Sequence, residues 1–169
     1  MRGCSIGLQM FINFLESEVN MDVSIRQVIL ADLDALVPLF DAYRQFYGKT
    51  SDFSSAKNFL KDRFEHGQSV ILMAWLNQSP VGFTQLYPSF SSVSMKRVFV
   101  LNDLYVAPQG RRDGVGQALL KAAMQYAKQF DATRLSLTTD VQNLAAQALY
   151  EVSGWKRDQQ FYSYHLYLE

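Results

Sequence analysis

From Met21 onward the apolar positions alternate between strand-like and helix-like periods. Ser24–Val28 alternates apolar and polar residues, the pattern of a half-buried strand. Asp32 then precedes apolar residues at Leu33, Leu36, Val37, Leu39, Phe40 and Tyr43, a helical spacing that Asp32 caps and Gly48 ends. Ser54 or Ser55 caps a second helix through Phe59, Leu60 and Phe64, closed by Gly67. Ser69–Leu76 and Val81–Tyr87 read as a hairpin across the turn Asn77-Gln78-Ser79-Pro80, and Pro88–Ser94 as a polar bend. Arg97–Val106 is the most β-prone run of the chain. A glycine-bearing loop leads from it into a long helix carrying Val115, Leu119, Leu120, Ala123, Ala127 and Phe130. Leu135, Leu137 and Thr139 predict another strand, Asn143–Val152 a helix ending at Gly154, and Phe161–Leu168 a closing strand. Strands and helices alternating around a central hairpin predict an α+β (mixed α/β) fold.

Composition narrows the field. The chain has 169 residues, which fits one domain. Sixteen Lys and Arg balance sixteen Asp and Glu, which excludes the basic footprint of a dedicated nucleic-acid binder. One cysteine, Cys4, forbids an internal disulfide framework, and with two histidines it makes a zinc site unexpected. The expectation is a cytoplasmic protein with no metal, no nucleic-acid partner and no membrane association. The apolar run Ile6–Leu15 is about ten residues long, half of the roughly 20 that a bilayer span needs. Residues 1–20 read as an N-terminal extension, and 21–169 as the domain. Met21 is the expected true start, immediately before the first strand; the alternative is an amphipathic arm using Met10, Phe11, Phe14 and Leu15.

The chemistry concentrates after Leu101. Arg111-Arg112-Asp113-Gly114-Val115-Gly116-Gln117 lies between a strand and a helix start. Such a loop turns several backbone N–H groups towards one point, where the helix N-terminus adds positive potential, and a phosphate or pyrophosphate suits that nest. Gly114 and Gly116 allow close approach because no Cβ intervenes. The alternative is a simple helix entry with solvated arginines. A dinucleotide fingerprint does not fit, since the acidic residue about twenty positions on is missing. A P-loop does not fit either, since no Gly-Lys-Ser/Thr follows.

The stretch from Leu104 to Leu120 resembles the coenzyme-A-binding motif of the GNAT N-acetyltransferases. Asn143-Leu144-Ala145-Ala146-Gln147-Ala148-Leu149-Tyr150, continuing to Gly154-Trp155, is similar to the family's second signature. The resemblance is specific from Leu101 to Trp155 and weaker before it. It implies a central mixed, mostly antiparallel sheet of about 6–7 strands flanked by about 4 helices. It also implies a splayed pair of parallel strands, Leu101–Val106 and Leu135–Thr139, that admits acetyl-CoA. Leu104, Tyr105, Val106, Arg111, Arg112, Asp113, Gly114, Val115, Gly116, Gln117, Asn143 and Tyr150 are the implied cofactor-binding residues. Val106 N–H would meet the acetyl carbonyl, the amides of Arg111–Gln117 the pyrophosphate, and Asn143 the pantetheine arm. For Asn143 a plain helix cap is the alternative.

The resemblance implies an acetyl-CoA-dependent N-acetyltransferase. Tyr150 is the implied general acid, since a departing thiolate benefits from a donor and a phenol of pKa about 10 supplies one. An ammonium acceptor must also lose a proton. Related diamine acetyltransferases carry an acidic residue where this chain has Asn102. Asp103 is the nearest carboxylate, but strict alternation aims it at the other face. Tyr43, Tyr47, Phe83 and Tyr87 are candidate substrate-binding residues, able to wall an amine pocket by cation–π contact; ordinary core packing is the alternative. The expected acceptor is the primary amine of a small molecule, attacked in a ternary complex. A protein lysine or N-terminus, or a non-catalytic acyl-CoA sensor, are the alternatives. The family further implies a homodimer paired through Phe161–Leu168.

Overall fold

The computed structural model describes residues 23–168, so the expectations for residues 1–20 lie outside it. In chain order the elements are β1 (Val23–Gln27), α1 (Leu33–Phe46), α2 (Phe53–Glu65), β2 (Val70–Leu76), β3 (Ser79–Ser91), β4 (Lys96–Val106), α3 (Val115–Gln129), β5 (Arg134–Ser136) and α4 (Leu144–Val152). The strands form one sheet in the order β1-β2-β3-β4-β5. The first four run antiparallel to their neighbours, and β5 runs parallel to β4.

Two apolar layers sandwich the sheet. Leu36, Phe40 and Leu60 from α1 and α2 pack on Ile71, Met73 and Phe83 on one face. Leu119, Leu120, Ala123 and Ala127 of α3 cover the other, against Leu72, Ala74, Leu86, Phe99 and Leu101. The helical spacing of apolar residues therefore meets the two-residue spacing of the strands on both sides. Asn77 and Gln78 both have positive φ, 49° and 66°, the geometry of a tight hairpin turn whose twist matches its strands.

Four local expectations are corrected. Asp52, not Ser54 or Ser55, caps α2, its carboxylate accepting from Ser55 N at 2.9 Å. Asp32 precedes α1 but turns its carboxylate back, accepting from Ile29 N and from the Arg26 guanidinium. The Pro88–Ser94 bend is largely strand, because β3 continues to Ser91. Pro88 is tolerated there because β2 ends opposite Leu86, leaving β3 an edge beyond that point. Finally, the sheet has five strands, because Phe161–Leu168 joins no ladder and its large side chains stand in solvent.

One buried charge ties the loop between α1 and α2 to α1. Asp41 is 0% exposed and accepts from Asp52 N (2.8 Å), Ser51 Oγ (2.7 Å), Gln45 Nε2 (2.8 Å) and Arg44 Nη1 (3.4 Å). Burial alone would raise its pKa, but these donors outweigh burial and lower it below the usual carboxylate value. Its contribution to stability is therefore complete above the unfolded-state pKa and is lost as pH falls through the lower folded value. Asp41→Ala is expected to cost about 2–3 kcal/mol near neutrality, since bonds to a charged group are lost and their donors left unmet. The deficit should shrink below about pH 4, where the parent loses the same term; urea unfolding of both proteins across pH checks this.

Candidate active site

A single irregularity in β4 shapes the site. The β3–β4 register runs Gln85↔Asp103 and then Leu86↔Leu101, so Asn102 is an extra residue on β4. Such a bulge breaks the alternation of faces. Leu101 and Leu104 both join the α3 layer, while Asp103 and Tyr105 turn to the α1 side. The expectation that alternation aims Asp103 away from the cleft is thus corrected. Asn102 itself is exposed and donates from Nδ2 to Asp103 Oδ1 at 3.0 Å.

Asp103 is only 4% exposed, and the Tyr43 hydroxyl lies within hydrogen-bonding reach of its carboxylate. Burial raises its pKa, and the donors Tyr43 and Asn102 only partly offset this. Around it stand aromatic side chains. Tyr43 packs edge-on to Phe83 (6.0 Å), Tyr47 (5.1 Å) and Tyr105 (6.4 Å). The pKa of Tyr43 is raised strongly by burial and then by the Asp103 charge, so its hydroxyl stays protonated. Tyr87 is half-buried, and its pKa is raised by burial and by Asp103 while Arg63 opposes the shift. Four candidate acceptor residues, Tyr43, Tyr47, Phe83 and Tyr87, therefore gather about one carboxylate.

The second half of the site is a gap between parallel strands. β5 pairs with β4 only from Val98 to Val100, whereas β4 runs on to Val106. Beyond Val100 the two chains separate. Tyr150 projects from α4 near this gap, packs on Trp155 at 6.1 Å and lies close to Thr139, which partly opposes the rise in its pKa. Its pKa is raised by burial and by the neighbouring Tyr47, which links α4 to the aromatic cluster.

At the end of β4 the chain turns through Pro108–Gly110 into α3. The first internal bond at this helix start is Ala118 N to Gly114 O, so the amides of Val115, Gly116 and Gln117 have no helical partner. Gly114 has φ +74° and open space around an added Cβ. Gly116 differs, because a Cβ there would meet Leu149 Cδ2 at 2.9 Å. That glycine lets α3 approach α4, the helix carrying Tyr150. Arg111 donates from Nε to the Val106 carbonyl at 3.0 Å, holding the loop to the strand end. The Arg112 and Gln117 side chains are exposed and Asp113 is half-exposed, while Val115 is buried and offers only its backbone. Leu104 and Val106 pack into the core beneath the gap. Asn143 caps α4, accepting from Ala146 N at 3.2 Å, so the capping alternative is realised and Nδ2 is its remaining donor.

A strand end, a splayed parallel neighbour and a cradle of free amides at a helix start fit a long phosphorylated cofactor arm. The GNAT acetyltransferase family model matches residues 34–155. The chain belongs to this family. The uncharacterized N-acetyltransferase YhfO of Bacillus subtilis is 49% identical over 144 residues, covering 85% of this chain and 97% of that protein. A solved probable acetyltransferase superposes with a TM-score of 0.82 at 44% identity, over 86% of this chain and 98% of its own. An aminoglycoside N-acetyltransferase in complex with CoA shares the fold, with a TM-score of 0.73 at 16% identity over 87% of this chain and 96% of its own. This acetyltransferase is an enzyme of acyl transfer. Among its described residues no helix is long and apolar enough to cross a membrane, and no group of three or more His, Cys, Asp or Glu could hold a metal.

Sequence reasoning did not select Phe40 or Phe59 as site residues, which extend the aromatic wall at 5.6 Å from each other. Strand alternation puts Gln85 on the face of Phe83 and Tyr87, and the register places it opposite Asp103. Tyr43→Phe removes one donor from Asp103 and is expected to raise the Asp103 pKa further. A carbon NMR titration of the Asp103 carboxyl in both proteins measures this, and an unchanged midpoint would contradict the Tyr43 contact.

Proposed function

We propose that the enzyme transfers an acetyl group from acetyl-CoA to the primary amine of a small molecule, by direct attack in a ternary complex. The observation that carries this reading is the buried Asp103 carboxylate, walled by aromatic rings, beside the gap into which Tyr150 projects. Acetyl-CoA supplies the activated thioester. The amides of Arg111–Gln117 would hold its pyrophosphate, Asn143 Nδ2 its pantetheine arm, and Val106 N–H its acetyl oxygen.

The acceptor arrives as a cation. Tyr43, Tyr47 and Tyr87 present ring faces and edges to it, backed by the buried Phe83, and Asp103 offers the one carboxylate among them. Asp103 takes a proton from the ammonium, freeing the nitrogen lone pair. Burial suits it to this, because a raised pKa brings a carboxylate closer to the amine it must deprotonate. Tyr150 gives its hydroxyl proton to the departing sulfur. Its raised pKa keeps that proton in place across the physiological range. An aromatic enclosure with one acid favours a compact amine over a polypeptide segment, which needs an open channel for its backbone.

Three substitutions test these roles. Tyr150→Phe should lower turnover on the order of 10²-fold with cofactor affinity nearly unchanged; unaltered turnover refutes the acid role. Gly116→Val pushes against Leu149 and should abolish acetyl-CoA binding by calorimetry, because the cradle and α4 shift together. Asp103→Asn should affect activity and stability in opposite directions. Its pKa lies above the unfolded value, so the parent loses stability as pH rises between the two, and that loss persists at neutrality. The variant is thus expected to melt higher at pH 7 while losing turnover with every member of an amine panel. A lysine peptide as the preferred acceptor in that panel would overturn the small-molecule assignment.

We infer a homodimer on a separate ground. Phe161, Tyr162, Tyr164, Leu166, Tyr167 and Leu168 are each between 78% and 89% exposed in the single chain. Four aromatics alone represent on the order of 600–1,000 Å² of coverable surface, close to the roughly 800 Å² per partner of a standard interface. Sedimentation should give twice the chain mass, and Tyr164→Lys with Leu166→Glu should return it to one; a monomeric parent refutes the inference.

A further inference from the structure

The sheet face under α1 and α2 holds one polar side chain that the chemistry above leaves unused. Gln85 stands on β3 directly opposite Asp103 on β4, and it is 0% exposed. Directly opposed residues have Cβ atoms about 4.5–5.5 Å apart, so the amide and the carboxylate are neighbours. Gln85 Nε2 donates to Ser69 Oγ at 2.7 Å. Its Oε1 has no hydrogen-bond partner although it is shielded completely. Native interiors rarely leave such an acceptor unmet.

Asp103 has acceptor capacity to spare. Asn102 Nδ2 occupies one position on Oδ1 and Tyr43 lies in reach of the carboxylate, whereas an ionised carboxylate has about four lone-pair sites. Two acceptors cannot satisfy one another, so whatever joins them must bring two hydrogens. An acceptor amine cannot reach Gln85, which is sealed from solvent. A water molecule fits, since it needs only a small polar space with two to four partners.

We propose that Gln85 is a positioning residue for Asp103, its Oε1 and the Asp103 carboxylate together holding one internal water. The water donates one hydrogen to each. That second donation favours the charged form of Asp103 and keeps the base from being neutralised outright by its burial. The remaining groups acting on this carboxylate are Tyr43 from α1 and Tyr87 from β3; Tyr47 just past α1, Tyr105 of β4 and Tyr150 of α4 surround Tyr43, and Arg63 of α2 acts on Tyr87. Phenols stay neutral near pH 7, so an acidic limb in the rate profile belongs to Asp103. This inference rests on Asp103 being the base.

Gln85→Met keeps the volume and removes the acceptor. The acidic limb of kcat/KM is expected to move up by about one pH unit, and the Asp103 carboxyl titration by NMR should move with it. A loss of activity at all pH values with an unmoved limb would make Gln85 merely structural and overturn the proposal. A limb that moves down would overturn it too, because Gln85 would then accept directly from protonated Asp103. A high-resolution crystal structure of the unaltered protein gives a readout independent of the variant. An ordered water within hydrogen-bonding distance of Gln85 Oε1 and Asp103 supports the site, and a pocket closed by side chains refutes it. Asp103→Asn separates the two ideas: full turnover there breaks the base assignment, whereas lost turnover there with an unmoved limb in Gln85→Met breaks only the water site.

Discussion

One extra residue in β4 governs the arrangement of everything around it. Asn102 has no partner on β3, and the strand accommodates it by bulging. A strand without the bulge would place Asp103 under α3, where Leu119, Leu120 and Ala123 would surround an uncompensated charge. With it, the carboxylate faces α1 and the aromatic rings gathered around Tyr43. The same irregularity bends β4 just where β5 stops accompanying it. The proposed base and the proposed cofactor gap therefore lie at one place on the strand.

The acetyltransferase's two halves meet at that point under different physical constraints. The proposed acceptor side is aromatic and holds one buried acid, so recognition there would rely on ring faces and a single charge. The proposed cofactor side would rely on backbone amides at the start of α3, which do not depend on the chemistry of exposed side chains. Arg111 serves this half by bonding a carbonyl of β4 instead of standing free in solvent. Gly116 serves it by letting α3 and α4 touch, a role in helix packing as much as in clearance for a phosphate.

The residues from Leu104 to Gln117 and from Asn143 to Trp155 were legible from the chain alone, because glycine placement and helix-start chemistry are local properties. The aromatic candidates Tyr43, Tyr47, Phe83 and Tyr87 were legible as types, and tertiary packing brought them together. The facing of Asp103 was not legible, since alternation is a local rule and a bulge is decided by register with another strand. The pairing of Gln85 with Asp103 was illegible for the same reason. Asp52 outcompeted Ser54 and Ser55 as the cap of α2 because its position was fixed by Asp41, a residue eleven places earlier. Phe161–Leu168 has strand composition but no neighbour in the single chain to supply hydrogen bonds.

Asp41 has a consequence that reaches beyond its own bonds. The helices that wall the acceptor site, α1 and α2, come from a continuous stretch of chain before the sheet hairpin, and the cofactor cradle comes from the second half. The connection between those helices is clasped by a single carboxylate rather than woven into the sheet. Changes in length or sequence in that connection can therefore reshape the entrance for the amine while the cradle for the nucleotide keeps its geometry. A catalyst divided in this way can exchange one acceptor for another over evolutionary time without rebuilding the machinery that holds its donor.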